Sequence, residues 1–148
     1  MEMNYIALGA WLAIGLAWLW AAIWEGLLGK SAVEVLGKNP RIQGTLLTYM
    51  VLGAALVETA AIYGLIVAFQ ILWNPDLAPM NAIGAWLSIG LAALWMWVGE
   101  GYMVGASLEA INRNPENKNA VVQFMILSTA LIETCAIYGL IIAFQLIK

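Results

Sequence analysis

The sequence predicts an all-α membrane protein made of two tandem transmembrane helical hairpins, with four helices in total. The 148-residue chain is 64% hydrophobic and only 10% charged, whereas a soluble domain usually carries about 25% charged residues. Four apolar runs of about 24 to 28 residues are each long enough to cross the ~30 Å hydrocarbon core as a helix. The second half of the chain also repeats the first with a shift of 75 residues.

The apolar runs define the four spans. A strand would cross with about ten residues and would alternate apolar and polar side chains, which these runs do not do. The first run is too long for a cleaved signal peptide and no basic segment precedes it, so we interpret it as the first span. We divide the chain into a first hairpin (1–73), a linker (74–80) and a second hairpin (81–148). The predicted spans are Tyr5–Leu28, Thr45–Leu72, Asn81–Val104 and Ala120–Ile147.

The connections predict the orientation. An Asn-Pro turn closes each hairpin, and two prolines interrupt the linker. By the positive-inside rule, both hairpin loops are cytoplasmic, and both termini and the linker lie outside. The basic residues at the hairpin-loop ends are Lys30, Lys38, Arg41, Arg113 and Lys118, and the charges on the other side are Glu2, Asp76 and Lys148.

The repeat places the two hairpins in parallel. Residues 9–12 read Gly-Ala-Trp-Leu, as do residues 84–87, and Glu25 matches Glu100. Two spans per copy return the chain to its starting side, so the copies are not inverted as in many transporters. Units of this kind bury their sides against copies of themselves.

Each hairpin carries two glutamates within the membrane. A carboxylate near the bilayer centre costs at least ~2.5–3.5 kcal/mol, so it points to a function. Glu25 and Glu58 are equidistant from the first Asn-Pro turn, and Glu100 and Glu133 from the second. In an antiparallel helix pair such residues lie at the same depth, so the two glutamates of each hairpin can face each other.

These carboxylates need a counter-charge that the spans do not supply. Two facing carboxylates cannot both be ionised in a low dielectric without a cation, and no Lys or Arg lies deep in any span. The charge must come from a proton, a bound cation or a basic group of a partner protein. Hydroxyl groups at Thr59, Tyr63, Thr134 and Tyr138 add oxygen ligands, which suit a hard cation. The structural alternative is that protonated glutamates only join helices by hydrogen bonds.

With these residues in view, each half resembles the c subunit (proteolipid) of rotary ATPases, most closely the F-type form. The resemblance lies in the Asn-Pro loops and in residues 56–69, Leu-Val-Glu-Thr-Ala-Ala-Ile-Tyr-Gly-Leu-Ile-Val-Ala-Phe. It implies a homo-oligomeric c-ring in lipid that carries ions on Glu58 and Glu133 while it turns, and that is not itself catalytic. It also implies a stator a subunit that supplies an arginine, and central-stalk subunits that contact the cytoplasmic loops. No nucleic-acid partner is expected. The predicted stalk-contacting residues are Lys38, Asn39, Pro40, Arg41, Arg113, Asn114 and Pro115.

The same resemblance suggests the ion. Sodium-binding members carry a Gln or Glu on the first helix, and a Glu followed by Ser or Thr and later Tyr on the second. Two carboxylates and one monovalent ion leave a negative charge, so we expect each site to bind one Na⁺ and to retain one proton; carriage of H⁺ alone remains the alternative. The predicted ligands are Glu25, Leu56, Thr59 and Tyr63 around Glu58, and Glu100, Leu131, Thr134 and Tyr138 around Glu133, with the two leucines contributing backbone carbonyls.

One feature departs from the family pattern. Family members have alternate glycines before the first-helix ligand, where close helix packing needs small residues. Bulky side chains here would hold neighbouring inner helices apart and predict a ring of larger radius with more hairpins; alternatively, they face lipid in the central hole. These residues are Trp18, Trp20, Trp24, Trp95 and Trp97.

Two other functions fit four apolar helices with a membrane carboxylate. A small proton-coupled multidrug or cation exporter can also be Trp-rich, but the parallel duplication and the two sites argue against it. A ring that only scaffolds the membrane is the structural alternative. The size of the assembly distinguishes the exporter from the rotor, because an exporter would be a dimer and a rotor a ring of many hairpins. Ion-dependent labelling of the glutamates distinguishes an ion carrier from a scaffold.

Overall fold

The computed structural model describes residues 4–148 and contains five α-helices within that range. α2 and α3 are separated only by Glu58 and together form one crossing segment. Four helical segments are long and apolar enough to cross a membrane, which confirms the predicted all-α fold of two hairpins. Glu2, which entered the charge argument, lies outside the described residues. The helices are α1 (Tyr5–Lys38), α2 (Gln43–Val57), α3 (Thr59–Leu72), α4 (Pro79–Arg113) and α5 (Lys118–Ile147).

Both hairpins turn at the predicted Asn-Pro pairs. A short 3₁₀ helix begins at each proline, over Pro40–Ile42 and Pro115–Asn117. The amide of the preceding asparagine still belongs to the long helix, since Asn39 N–H donates to the Val35 carbonyl at 2.9 Å. Proline suits the first position of a helical turn because its missing N–H would have no partner there.

The long helices extend further than the apolar runs. α1 and α4 continue to Lys38 and Arg113, about ten residues past the predicted ends of the first and third spans. The prediction stopped where polar residues begin, but these lie on exposed helix surface, where Lys30 and Glu34 form an i,i+4 ion pair at 3.7 Å. α4 also begins at Pro79, within the predicted linker, since proline is tolerated in a first helical turn.

The four segments pack so that α4 contacts every other helix. α1 and α4 lie side by side, the α2–α3 segment packs on α1, and α5 packs on α4. The helices of each hairpin approach closely at one glycine. A methyl group at Gly64 would lie 2.5 Å from the Ala17 Cβ, and one at Gly139 would lie 2.5 Å from the Ala92 Cβ. Small residues thus bring the helices that carry the glutamates close together.

Candidate functional site

The four membrane glutamates lie on four different helical segments, two in each hairpin. Glu25 lies on α1 and Glu58 at the junction of α2 and α3, while Glu100 lies on α4 and Glu133 on α5. Buried residues next to these glutamates, among them Val57, Trp97 and Ala136, pack in one cluster with Trp24 and Ile132. The facing of the carboxyl groups within each pair stays a prediction.

The second pair receives a hydroxyl group from the first hairpin. The Tyr63 hydroxyl donates a hydrogen bond of 2.7 Å to Glu133 Oε1. In the structure Tyr63 thus bonds to a carboxyl group of the other hairpin and not to Glu58, with which the sequence grouped it. Tyr63 lies one turn after Thr59 on α3, on the side that faces the second hairpin. Its phenol therefore reaches the carboxyl group of Glu133 on α5. The hydrogen bond on Glu133 therefore joins the two hairpins.

Each predicted threonine ligand is bonded to the predicted carbonyl ligand of its own helix. The Thr59 hydroxyl donates to the Leu56 carbonyl at 2.9 Å, and the Thr134 hydroxyl donates to the Leu131 carbonyl at 2.7 Å. The bonds hold a hydroxyl oxygen and a carbonyl oxygen on one turn beside each glutamate. Both oxygens keep free lone pairs with which to accept a cation or a proton donor.

Glu100 is the most deeply buried charged group among the described residues. Its side chain is 0% exposed, and neither carboxylate oxygen has a hydrogen-bond partner within residues 4–148. An unsatisfied buried polar group costs about 1–3 kcal/mol, and more when it is charged. Glu100 therefore needs a proton or a cation.

The pair in the first hairpin is open. Glu58 is exposed and Glu25 is only partly buried. The tyrosine that matches Tyr63 in the repeat is Tyr138, and it is 66% exposed with no hydrogen bond from its hydroxyl among the described residues. One carboxylate pair in the chain is thus closed by a tyrosine, whereas the other pair and the other tyrosine both remain on the surface.

The tryptophans of the inner helices take three kinds of position. Trp18 and Trp95 are exposed, and Trp20 is partly buried. Trp24 packs on Gly101 between α1 and α4, with its ring centroid 5.5 Å from that of Tyr102. The large indole of Trp24 is thus accommodated by a glycine of the neighbouring helix. The larger radius of the oligomeric ring depends on the spacing of inner helices between copies, so it stays a prediction.

Trp97 has a role that the sequence did not indicate. It is 0% exposed, and its indole Nε1 donates a hydrogen bond to the backbone carbonyl of Val57 in the first hairpin. The sequence suggested only a bulky inner-helix residue at this position. No local pattern could have identified the bond, since its acceptor is a backbone atom 40 residues away.

The predicted stalk-contacting loops lie together at one end of the molecule. Lys38 Nζ lies 3.4 Å from Glu109 Oε1 and so joins the two hairpins near their loops. Both side chains are largely solvated, so this pair contributes little to stability. The other predicted loop residues are exposed, except Asn39, which is partly buried. They are Pro40, Arg41, Arg113, Asn114 and Pro115.

Comparison with known families gives a match over nearly the whole chain. The family described as the C subunit of ATP synthase matches twice, over residues 8–71 and 83–146. The two matched ranges correspond to the two hairpins. The internal repeat is therefore a repeat of one family domain.

Individual relatives match either the whole chain or one of its halves. The K subunit of the A-type ATP synthase of Methanocaldococcus jannaschii is 34% identical over 142 residues, 95% of this chain and 60% of that protein. The chloroplastic ATP synthase c subunit of Phaeodactylum tricornutum is 40% identical over 74 residues, 50% of this chain and 90% of that protein. The ATP synthase c subunit of Chloroflexus aurantiacus is 43% identical over 65 residues, 44% of this chain and 86% of that protein. The chain thus spans 60% of the length of the relative that it matches over both hairpins.

Proposed function

Because the chain belongs to the family of ATP synthase C subunits, we propose that it is an ion-carrying, non-catalytic rotor subunit of a membrane rotary ATP synthase or ATPase. Copies of the chain form a homo-oligomeric ring in lipid. The exporter alternative is set aside, since the family domain occupies both halves of the chain.

The observation that carries the proposal is the hydrogen bond from Tyr63 to Glu133 beside the buried Glu100. It supports an ion site between two hairpins of one chain. The second hairpin supplies two carboxylates, and the first supplies a phenol, a hydroxyl and a carbonyl. Leu56 and Thr59 precede Tyr63 at helical spacing on the same face, so we assign them to this site together with Tyr63, Glu100 and Glu133.

The second site is completed by the next copy in the ring. Tyr138 is the repeat equivalent of Tyr63, and Glu58 is the repeat equivalent of Glu133. In a ring, the equivalent of the contact between Tyr63 and Glu133 therefore joins Tyr138 of one copy to Glu58 of the next. The exposed state of both side chains in the single chain supports this arrangement. The residues of this interchain site are Glu25 and Glu58 of one copy with Leu131, Thr134 and Tyr138 of its neighbour.

Ion carriage follows from the charge of the closed site. Two carboxylates with one Na⁺ and one retained proton are neutral, so the loaded site can face lipid while the ring turns. At the stator, an arginine of the a subunit replaces the ion as counter-charge and the ion leaves. We expect the hairpin loops to face the cytoplasm and contact central-stalk subunits, with the termini outside. Proton-only carriage places a second proton where Na⁺ would lie.

Carbodiimide labelling of the purified ring tests the transported ion. The reagent modifies protonated carboxyl groups, so an ion that displaces the reactive proton protects the site. We expect Glu58 and Glu133 to be labelled and Na⁺ to slow both reactions, whereas K⁺ at equal ionic strength does not. Labelling of both residues without protection by Na⁺ at any pH would establish the proton-only alternative. Absence of labelling at both residues would contradict ion carriage itself.

A further inference from the structure

The bond between Trp97 and Val57 lies at an interruption of the outer helix. Val57 is the last residue of α2, Glu58 is not in the α-helix, and α3 begins at Thr59. In an uninterrupted α-helix the Val57 carbonyl would accept from the Ala61 amide. Here the Ala61 N–H donates to the Glu58 carbonyl at 3.0 Å, one residue closer along the chain.

The indole accounts for this shift. A side chain inserted into the i→i−4 ladder is a recognised cause of kinks, and here the Val57 carbonyl accepts from the indole while the Ala61 amide bonds elsewhere. Trp97 is fully buried between the hairpins, so its N–H would be unsatisfied without this carbonyl. The interruption falls at Glu58, the predicted carrier of the interchain site.

Among the described residues, no indole bonds to the matching carbonyl of the second hairpin. The residue that matches Trp97 is Ala22, which has no side-chain donor and is exposed in the single chain. The carbonyl that matches Val57 is that of Ile132, which lies within α5. That helix runs without interruption from Lys118 to Ile147 and includes Glu133.

We propose that Trp97 is a positioning residue that makes the two ion carriers of each chain unequal. Its indole holds the turn at Val57, so Glu58 sits at an interrupted helix, whereas Glu133 sits in a continuous one. Each ring then alternates between two kinds of carrier site. This inference rests on the proposed function, because it assumes that both glutamates bind the transported ion.

Of the two carriers, we expect Glu58 to react faster. The Glu58 turn lacks one backbone hydrogen bond of the regular helix, since Trp97 occupies the carbonyl of Val57. Its carboxyl group therefore exchanges and reacts faster than that of Glu133, which lies within a continuous helix. A matching donor at position 22 of the adjacent copy would interrupt α5 in the same way.

Carbodiimide labelling of the intact ring, followed by mass spectrometry of the two glutamate-containing peptides, tests the proposal. We expect Glu58 to react about fivefold faster than Glu133, the order expected for one net hydrogen bond. Trp97→Phe keeps an aromatic ring but removes the N–H, and it should bring the ratio of the two rates close to one. Trp95→Phe, on the exposed side of the same helix, should leave the ratio unchanged.

A gain-of-donor variant keeps the test decisive if Trp97→Phe fails to assemble. Ala22→Trp should speed the reaction of Glu133 and also bring the ratio towards one. Equal rates in the unmodified ring, or an unequal ratio that neither Trp97→Phe nor Ala22→Trp alters, would overturn the proposal. The ratio is measured without Na⁺, so failure of Na⁺ protection bears only on the proposed ion.

Discussion

Replacing Glu133 with glutamine abolishes ion-driven ATP synthesis, and the matching change at Glu58 does the same. An amide is close in shape to the carboxyl group, but it does not ionise at physiological pH and so can neither release a proton nor pair with a cation as a charged group. Removing one partner of a buried charge pair costs about 2–5 kcal/mol, which weakens ion binding by roughly 30-fold to several thousand-fold. Every site must pass the stator in turn, so one inactive site in each chain stops the whole ring.

ATP synthesis by reconstituted vesicles under an imposed ion gradient measures this effect. Glu34→Gln is the matched control, because Glu34 is an exposed glutamate that pairs with Lys30 on the surface. Its activity should stay close to that of the unmodified protein. If the Glu133→Gln ring assembles and still supports synthesis at more than half the normal rate, Glu133 is not an ion carrier.

Replacing Tyr63 with phenylalanine weakens ion binding at Glu133 and leaves Glu58 nearly unchanged. The phenol is the donor to Glu133 Oε1 in the structure. Loss of a hydrogen bond to a charged group corresponds to roughly a 10- to 100-fold loss of affinity. The effect should appear as a shift in the Na⁺ concentration that half-protects Glu133 from carbodiimide, with Glu58 in the same sample as an internal reference.

The reciprocal variant provides the control. Tyr138→Phe should weaken protection of Glu58 and leave Glu133 nearly unchanged, because its phenol belongs to the interchain site. Sites formed within single hairpins would give the opposite pattern, with Tyr63→Phe acting on Glu58. That result would contradict the composite sites that we propose.

The fold was predictable from sequence because a membrane permits few solutions. Backbone groups in lipid must be satisfied within the segment, so a long apolar run is a helix. The turn at Asn39-Pro40 then fixes the depth of Glu25 and Glu58 by counting along two antiparallel helices. The same arithmetic applies to the repeat, so both carboxylate pairs could be proposed from the sequence alone.

The composition of the site was not predictable in the same way. The partner of the Tyr63 phenol depends on how α3 is rotated against α4 and α5. Neither α4 nor α5 has a polar face along its apolar span that would fix this rotation. The position of the Tyr63 phenol depends on the packing between hairpins and not on the packing within one. Sequence reasoning therefore assigned Tyr63 to the nearer carboxylate along the chain, when it bonds to Glu133.

The interruption at Glu58 was beyond sequence reasoning for a different reason. Residues 45–72 have no proline and read as one uninterrupted apolar helix. The break arises from a tertiary contact, in which the indole of Trp97 takes the carbonyl of Val57. Such a bond has no local signature, since tryptophan on an inner helix is equally compatible with helix packing or contact with lipid.

An image of the purified ring that resolves side chains tests the central claim most directly. We predict a closed ring in which Tyr63 contacts Glu133 within each chain and Tyr138 contacts Glu58 of the neighbouring copy, with ion density between Glu25 and Glu58 and between Glu100 and Glu133. A dimer, or a ring in which Tyr138 points away from every glutamate, would contradict it.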